Sequence, residues 1–301
     1  MTEKGVEHAP SETAFFAALR RAIAQLDYGN EKFGPDEMAA AFLPAHYRFL
    51  LRFKGIRTNT KDRLEGFLPG LHAYMIARTA YFDHLFAKAL QEQVPQLVLL
   101  GAGYDTRAYR FANINRGTRV FELDGSPTQN RKRECLKRAR IYIPEEVTLT
   151  PINFNEESLQ DVLEGVGYDH QERTLFLWEG VSYYLDPGSV EATLDFVSRS
   201  LHPDSAIAFD YTISLSEEAL QDAYGVSAFA QTMQEQHANE ALTFSLQEGM
   251  LDTFLEDRGL RAVEHLDNDA IEKAYLMADD GSRIGPMTGH FRFVYAVKIE
   301  S

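Results

Sequence analysis

Short apolar segments that recur at intervals of roughly thirty residues constrain the fold of this chain more than any other feature. They are Gln96–Leu100, Arg119–Leu123, Val147–Ile152, Thr174–Trp178 and Ser205–Tyr211. Helical patterns lie between them. Strands that alternate with helices are joined by right-handed crossovers into a parallel sheet covered on both faces. The sequence therefore predicts an α/β fold.

Two further apolar segments, Arg261–Leu266 and His290–Lys298, follow with no long helix between them. The second alternates apolar and polar residues, which is typical of a strand. We expect the two segments to close the sheet as an antiparallel pair. The prediction is a seven-stranded, mostly parallel sheet with an antiparallel last strand.

The first ninety residues read as helices rather than strands. Ser11–Tyr28, His46–Phe53 and Leu71–Leu90 carry apolar residues at helical spacing, and Ser11 is a suitable N-cap. Leu215–Leu242 is too long for a simple connection and is predicted to form inserted helices, a lid over the carboxyl edge of the sheet. We therefore expect a helical cap (1–90) packed on a Rossmann-like core (91–301) that carries the insertion at about 215–242.

Composition narrows the classes of partner. The formal net charge of −15 argues against a nucleic-acid backbone or an anionic membrane as the main partner. The single cysteine, Cys135, excludes an intramolecular disulfide, a Cys-rich zinc site and a CxxC motif. No spacing indicates a metal site, and the apolar runs have strand length rather than membrane length. We expect a soluble, cytoplasmic protein.

The carboxyl ends of the strands are where open parallel sheets bind ligands. The first strand ends in Gly101 and Gly103, which let the backbone turn sharply and approach a ligand closely. Asp124 ends the second strand 21 residues after Gly103, where an acidic side chain can bind both hydroxyls of a ribose. Glu122 is close by, and we favour Asp124 over it. The pattern predicts a nucleoside site.

The sequence supports a dinucleotide site less well than a nucleoside site. Thr106 occupies the place of the third glycine, which in dinucleotide-binding proteins lets helix and strand pack closely around a pyrophosphate. A nucleoside without phosphates does not need that arrangement. Asp105 is either the cap of the following helix or a direct ligand, and the sequence leaves both open.

Three motifs together resemble a known family. Leu99–Arg110 (LLGAGYDTRAYR), Phe121–Asp124 (FELD) and Glu179–Leu185 (EGVSYYL) are similar to the leucine carboxyl methyltransferase family, and its bacterial branch of S-adenosylmethionine-dependent O-methyltransferases fits best. Ala77–Thr79, followed by Asp83, resembles the family's upstream helix. The resemblance spans roughly residues 70–211. It implies a class I methyltransferase fold, with S-adenosylmethionine as cofactor and S-adenosylhomocysteine as product.

The resemblance also implies roles for individual residues. Arg78 would bind the methionine carboxylate of the cofactor in a bidentate contact. Gly101 and Gly103 would face its methionyl and ribose parts, and Asp124 would bind the ribose hydroxyls. Asn153, with Phe154 after it, stands where the family commonly has an acidic residue near the adenine.

The segment after the fourth strand would complete the site. Glu179 matches the family's glutamate beside the methionyl part, where a carboxylate can hold the α-ammonium group and offset the sulfonium. A structural salt bridge is the alternative. Of Tyr183 and Tyr184, one should face the methyl group and the acceptor while the other packs beneath the helix. The family match favours Tyr184.

The predicted reaction is an in-line displacement at the methyl group, in which the protein aligns acceptor, methyl and sulfur. A carboxylate acceptor needs no general base, whereas a hydroxyl would benefit from one, with His72, His202 and His290 as candidates. An acceptor pocket in the helical regions would contain Tyr47, Phe49, Phe53, Tyr224 and Phe229.

The sequence thus predicts an O-methyltransferase acting on a carboxylate or hydroxyl of a small metabolite. Three alternatives stay open: methylation of a protein C-terminus, an NAD-dependent oxidoreductase, and a non-catalytic cofactor-binding member. Against the oxidoreductase, the chain lacks the third glycine of a dinucleotide-binding turn.

Overall fold

The structure is a computed structural model, and it describes residues 10–29, 36–154, 156–200, 202–215, 223–236, 242–278 and 280–299. The strands are β1 (Gln96–Leu100), β2 (Arg119–Asp124), β3 (Val147–Pro151), β4 (Thr174–Trp178), β5 (Ala206–Ser214), β6 (Leu246–Gln247), β7 (Leu260–Leu266) and β8 (Phe291–Lys298). The seven predicted strands are therefore present, and β6 is an additional short one.

The helices alternate with these strands after residue 95. They are α1 (Glu12–Tyr28), α2 (Ala45–Leu50), α3 (Lys54–Phe67), α4 (Leu71–Gln91), α5 (Arg107–Arg110), α6 (Ser126–Ala139), α7 (Leu159–Gly165), α8 (Pro187–Ser200), α9 (Val226–Gln236), α10 (Leu251–Glu256) and α11 (Asn268–Tyr275). Two 3₁₀ turns, Ala39–Phe42 and Ser182–Tyr184, complete the described elements.

The strand order in the sheet is β3-β2-β1-β4-β5-β8-β7, with β6 paired to β5. Strands β1 to β5 are parallel, which confirms the α/β prediction. β7 and β8 form the expected antiparallel pair, and β8 also runs antiparallel to β5. The order reverses between β1 and β4, so the loops that follow these two strands diverge and leave a crevice at their carboxyl ends.

In the first ninety residues, the sequence predicted the start of α1 but did not indicate helix α3. Ser11 caps α1 as predicted, because its Oγ accepts a hydrogen bond of 3.0 Å from the Ala14 N–H. Helix α3 was not predicted. Its sequence, KGIRTNTKDRLEGF, has few apolar residues, so the helical period is weak. The predicted insertion contains α9, while 216–222 and 237–241 lie outside the described residues.

The core consists of one layer on each face of the sheet. In β1, Leu97 and Leu99 face the layer that contains α4, whereas Val98 and Leu100 face the opposite layer. Helix α4 is buried along most of its length. Arg78 and Asp83 on this helix are only 7% and 8% exposed, so these two charged side chains need partners within the protein.

Among the described residues, no helix is long and apolar enough to cross a membrane.

The packing of α4 on β8 can be tested by a substitution in the core. Phe293 is fully buried, and its ring stacks on Tyr81 with 5.0 Å between ring centroids. Phe293→Ala is expected to lower the free energy of unfolding by about 3–5 kcal/mol, because the cavity it leaves cannot fully collapse. Val263→Ala, at a side chain on β7 that is 49% exposed, serves as the control with a change within about 0.5 kcal/mol. Equal denaturant midpoints for the two variants would contradict the packing described here.

Candidate cofactor site and active site

A cavity of about 530 Å³ lies at the carboxyl ends of β1, β2 and β4. Its walls come from the loops after these strands and from the start of α1. Eight of the nine residues that the sequence suggested for cofactor binding or catalysis line it: Arg78, Gly101, Gly103, Asp124, Asn153, Phe154, Glu179 and Tyr184.

The glycine turn after β1 has no room for side chains. Gly101 and Gly103 have φ angles of +67° and +47°, a region that favours glycine. A Cβ on Gly101 would lie 2.4 Å from Val181 Cγ2, and one on Gly103 would lie 3.3 Å from Ala14 Cβ. The turn therefore exposes backbone to the cavity, as a closely approaching ligand requires.

Asp124 is held at the end of β2 by two backbone donors. Its Oδ2 accepts from the Gly103 N–H at 2.6 Å, and its Oδ1 accepts from the Gly125 N–H at 2.7 Å. Burial raises the pKa of Asp124 above its usual value, and these N–H groups oppose that shift. Glu122 is instead fully buried and pairs with Lys132 Nζ at 2.6 Å. Of the two acids, Asp124 lines the cavity.

Asp105 bonds the start of α5 and also lines the cavity, so its role as a direct ligand stays a prediction. Its Oδ1 accepts from the Arg107 N–H at 2.7 Å at the start of α5, and its Oδ2 pairs with the Arg107 guanidinium. Burial opposes its ionisation, but Arg107, Lys132, Arg21 and the Arg107 N–H together hold the pKa of Asp105 below the usual value. The carboxylate also lines the cavity.

Arg78 is fixed at the cavity wall by a set of polar contacts. Its Nε donates to Glu179 Oε1 at 3.0 Å, and its Nη1 donates to the hydroxyls of Tyr183 at 3.1 Å and Tyr74 at 3.3 Å. The guanidinium lies against Gly180, where a Cβ would come within 2.6 Å of Nη1. Within the described part of the chain, Nη2 has no hydrogen-bond partner. That atom is the donor left for a ligand.

Glu179 joins two arginines as well as lining the cavity. Its Oε1 accepts from Arg78, and its Oε2 accepts from Arg107 Nη1 at 2.6 Å. The salt bridge considered as an alternative is therefore present. The side chain keeps 14% of its surface exposed, so a ligand can still reach it.

The two tyrosines after β4 are in different environments. Tyr184 lines the cavity, whereas Tyr183 is 2% exposed and is not among the lining residues. The Tyr183 hydroxyl lies 3.2 Å from the hydroxyl of Tyr74, and burial raises its pKa well above the usual value. Tyr183 therefore contacts the arginine that lines the cavity rather than the cavity itself.

The segment after β3 forms the opposite wall. Asn153 and Phe154 both line the cavity, as does Glu157, whose Oε2 accepts from the Asn153 N–H at 2.7 Å. An amide at residue 153 can donate and accept hydrogen bonds. The wall is thus compatible with a polar base edge.

None of the three histidines proposed as bases lines the cavity. Burial lowers the pKa of both His72 and His290 to about 3, so these two rings are neutral near pH 7. His202 lies in the turn before β5, where its Nδ1 accepts from the Asp204 N–H at 3.3 Å. The sequence could not distinguish these positions because all three fall near strand or helix ends.

The aromatic side chains expected in an acceptor pocket are also elsewhere. Phe49, Phe53 and Tyr224 are exposed, Phe229 is buried, and Tyr47 packs against Phe15. The N-terminal helix instead contributes small and polar residues to the cavity, which sequence reasoning missed because α1 has the pattern of an ordinary core helix. They are Ser11, Thr13, Ala14, Ala17 and Arg21.

The fold and the comparisons with known proteins define a class. Two solved structures share the fold. A protein of Thermobifida fusca that is provisionally named a methyltransferase has a TM-score of 0.58 and 15% identity, and the match covers 97% of this chain and 96% of that one. A DUF574 family protein of Streptomyces avermitilis has a TM-score of 0.59 and 12% identity, and the match covers 97% of this chain and 99% of that one. The chain is an S-adenosylmethionine-dependent methyltransferase.

Within that class, the chain belongs to the leucine carboxyl methyltransferase family, which it matches over residues 14–198. Similar relatives are provisionally named S-adenosyl-L-methionine-dependent methyltransferases. The Bacillus subtilis protein YktD is 30% identical over 227 residues, which covers 74% of this chain and 72% of the relative. A protein of Mycobacterium sp. strain KMS is 27% identical over 234 residues, covering 74% and 73%. The proposed resemblance is confirmed.

The close contact between Gly180 and Arg78 can be tested. Gly180 has a φ of +73°, and a Cβ there would meet Arg78 Nη1 at 2.6 Å. Gly180→Ala is expected to displace the guanidinium and to weaken S-adenosylhomocysteine binding by about tenfold or more, since losing a charge-assisted hydrogen bond costs about 1.5–3 kcal/mol. Gly165→Ala, where a Cβ would meet no atom within 4 Å, is the control. Calorimetry that gives the same Kd for Gly180→Ala and the parent would contradict this geometry.

Proposed function

We propose that this enzyme transfers a methyl group from S-adenosylmethionine to an oxygen of a small metabolite, with a carboxylate favoured over a hydroxyl. The observation that carries the proposal is the state of the ionisable groups in the cavity. Among the described lining residues there is no histidine, lysine or cysteine.

The carboxylates of the cavity are already engaged. Asp105, Asp124 and Glu179 accept the hydrogen bonds described above, Glu157 accepts from the Asn153 N–H, and Asp186 accepts from Ser189 N–H and Oγ at 3.1 and 2.6 Å. Donors of this kind stabilise an ionised carboxylate and make it a weaker base. At Asp124 burial outweighs the donors and raises the pKa, and we assign that carboxylate to the ribose hydroxyls instead. An acceptor that is itself ionised near neutral pH needs no base.

The residues present fit the cofactor. Nη2 of Arg78 is available for the methionine carboxylate, and Glu179 for the α-ammonium group. The glycine turn leaves room for close approach, and Asp124 stands at the end of β2 where a ribose would present its hydroxyls. The amide of Asn153 would recognise the adenine edge, with Phe154 beside it.

S-adenosylmethionine, when bound, supplies a methyl group activated by a sulfonium. The protein contributes alignment and removal of water. Tyr184 is the aromatic side chain that we assign to the acceptor end of the cavity. Tyr183 acts through Arg78, whose Nη1 it holds from the buried side. It is therefore a positioning residue in this proposal.

The size of the cavity supports a small acceptor. A volume of about 530 Å³ lies within the range of pockets that hold one drug-sized ligand. Once the cofactor is bound, the remaining space suits a small molecule better than a protein tail. Methylation of a protein C-terminus is the alternative, which a longer groove would favour.

We also propose a domain organisation, a class of partner and a cellular location for this enzyme. We assign residues 1–90 as a helical cap on the core at 91–301, supported by the contribution of α1 to the cavity wall. The segment at about 215–242 is assigned as a lid. The net charge of −15 supports a partner other than nucleic acid or an anionic membrane, and we place the enzyme in the cytoplasm.

The role of Arg78 can be measured by binding. Arg78→Ala is expected to weaken S-adenosylhomocysteine binding by about 1.5–3 kcal/mol, the range for a charge-assisted hydrogen bond. Arg78→Lys should recover only part of that loss, because an ammonium group cannot keep the contacts with Glu179 and the two tyrosines while it also bonds the carboxylate. The bidentate contact expected from the sequence is not available, since Nε and Nη1 are engaged within the protein. If calorimetry gives the alanine variant the same affinity as the parent, Arg78 does not bind the methionine carboxylate of the cofactor.

The nature of the acceptor can be read from the pH profile and from the product. With a carboxylate acceptor, the rate should be nearly flat between about pH 6 and 8, since the reactive form is already saturated. A hydroxyl assisted by an imidazole would give a rising limb instead. A methyl ester also releases methanol in mild base, whereas an ether does not. A base-stable methyl label would refute the carboxylate version and leave the hydroxyl one.

A further inference from the structure

A continuous series of buried ion pairs extends from α1 to β5 along the cavity, and we call it the arginine–carboxylate chain. It contains four guanidinium groups and five carboxylates, and no side chain in it is more than 14% exposed. In order of contact, its members are Arg21, Asp36, Arg110, Asp83, Arg107, Asp105, Glu179, Arg78 and Asp210.

Apart from Arg21, which lines the cavity, the first half of this chain lies behind the cavity wall. Arg21 Nε lies 2.8 Å from Asp36 Oδ2, and Asp36 Oδ1 lies 3.6 Å from Arg110 Nε. Asp83 then joins two arginines, at 2.7 Å from Arg110 Nη2 and 2.7 Å from Arg107 Nε. Asp36 and Asp83 are not among the lining residues, so they influence a ligand only through their charge and through the arginines that they hold.

The second half forms part of the cavity wall. Arg107 pairs with Asp105 and, at 2.6 Å, with Glu179. Glu179 connects to Arg78 at 3.0 Å, and Arg78 Nη1 lies 3.6 Å from Asp210 Oδ2. Four of these five residues line the cavity directly, and Asp210 is fully buried behind Arg78.

The charges in this chain do not cancel. Counting only the described residues, five carboxylates face four guanidinium groups, so one negative charge lacks a counterpart. Burial raises the pKa of the fully buried Asp210, while Arg78, the Gly180 N–H and the Tyr74 hydroxyl oppose that shift. The described cavity lining carries a negative excess of its own, because it holds five carboxylates against three guanidinium groups: Asp105, Asp124, Glu157, Glu179 and Asp186 against Arg21, Arg78 and Arg107. An uncompensated charge out of water is costly, and a ligand of opposite charge would relieve that cost.

We propose that the arginine–carboxylate chain makes this site selective for a cofactor with a net positive charge, so that S-adenosylmethionine binds more tightly than S-adenosylhomocysteine. The ammonium, carboxylate and sulfonium of S-adenosylmethionine sum to one positive charge. The product has lost the sulfonium charge and is neutral overall. The selectivity does not depend on which acceptor is methylated; it depends only on the cofactor occupying this cavity.

The expected size follows from Coulomb's law. A unit charge at about 10 Å, with an effective dielectric constant of about 20, changes an affinity by a factor of about ten. The two ligands share their adenosine, ammonium and carboxylate groups. The ratio of their affinities therefore reports on the charge at the sulfur position. If a substitution weakens a contact that both ligands make, it lowers both affinities equally and leaves the ratio unchanged.

The experiment is calorimetry with sinefungin, which carries an amine in place of the methylsulfonium, and with S-adenosylhomocysteine. In the parent protein, sinefungin should bind about tenfold more tightly. A ratio near one, or tighter binding of S-adenosylhomocysteine, would overturn the selectivity proposal and leave the proposed function intact. If neither ligand bound, the cavity would not be the cofactor site and both proposals would fall.

Asp83→Asn removes one negative charge from the chain without replacing a lining residue. It should reduce the ratio of affinities by about three- to tenfold. Asp195→Asn is the matched control, because Asp195 on α8 is also paired with an arginine, Arg199 at 2.8 Å, but its side chain is 38% exposed and lies outside the arginine–carboxylate chain. Its ratio should equal that of the parent. If Asp83→Asn does not fold, Asp36→Asn makes the same change further along the chain. A folded variant of either kind with the parental ratio would refute the proposal.

Discussion

The pairing of Arg107 is the interaction on which the site depends. This guanidinium is 4% exposed, and a charge so far from water is tolerated only when it is paired and hydrogen-bonded. Its partners are Asp83 on α4, Asp105 after β1 and Glu179 after β4. One side chain therefore fixes the relative positions of three segments that the chain brings together from distant parts of its sequence.

The same requirement explains why α4 belongs to both the core and the site. Most of its side chains are buried, and its apolar face packs in the layer that contains Leu97 and Leu99 of β1. Its two charged residues near the middle, Arg78 and Asp83, must then find partners in the loops after β1 and β4. Packing of the helix on the sheet thus sets the geometry of the cavity wall, and a shift of the helix would move both charges.

The sequence predicted the parts of this molecule that depend on local patterns. Apolar period and strand spacing located the strands, and Gly101, Gly103 and Asp124 indicated the ligand edge because turn chemistry and strand ends are visible in a single sequence. Contacts between distant segments were not visible. The polar helix α3, the cavity-lining start of α1 and the positions of the three histidines outside the cavity all depend on how elements pack, which periodicity does not encode.

Cys135 gives the protein one buried thiol whose reactivity depends on local opening of the fold. It is the single thiol of the chain, fully buried in the cluster where α6 meets α1, with Arg138 Nη2 at 3.4 Å from its Sγ. A thiol reagent can reach it only when that packing opens, so its labelling rate reports the local opening free energy of the helix that also walls the cavity. The protein thereby carries a native, single-site reporter of motion next to its active site.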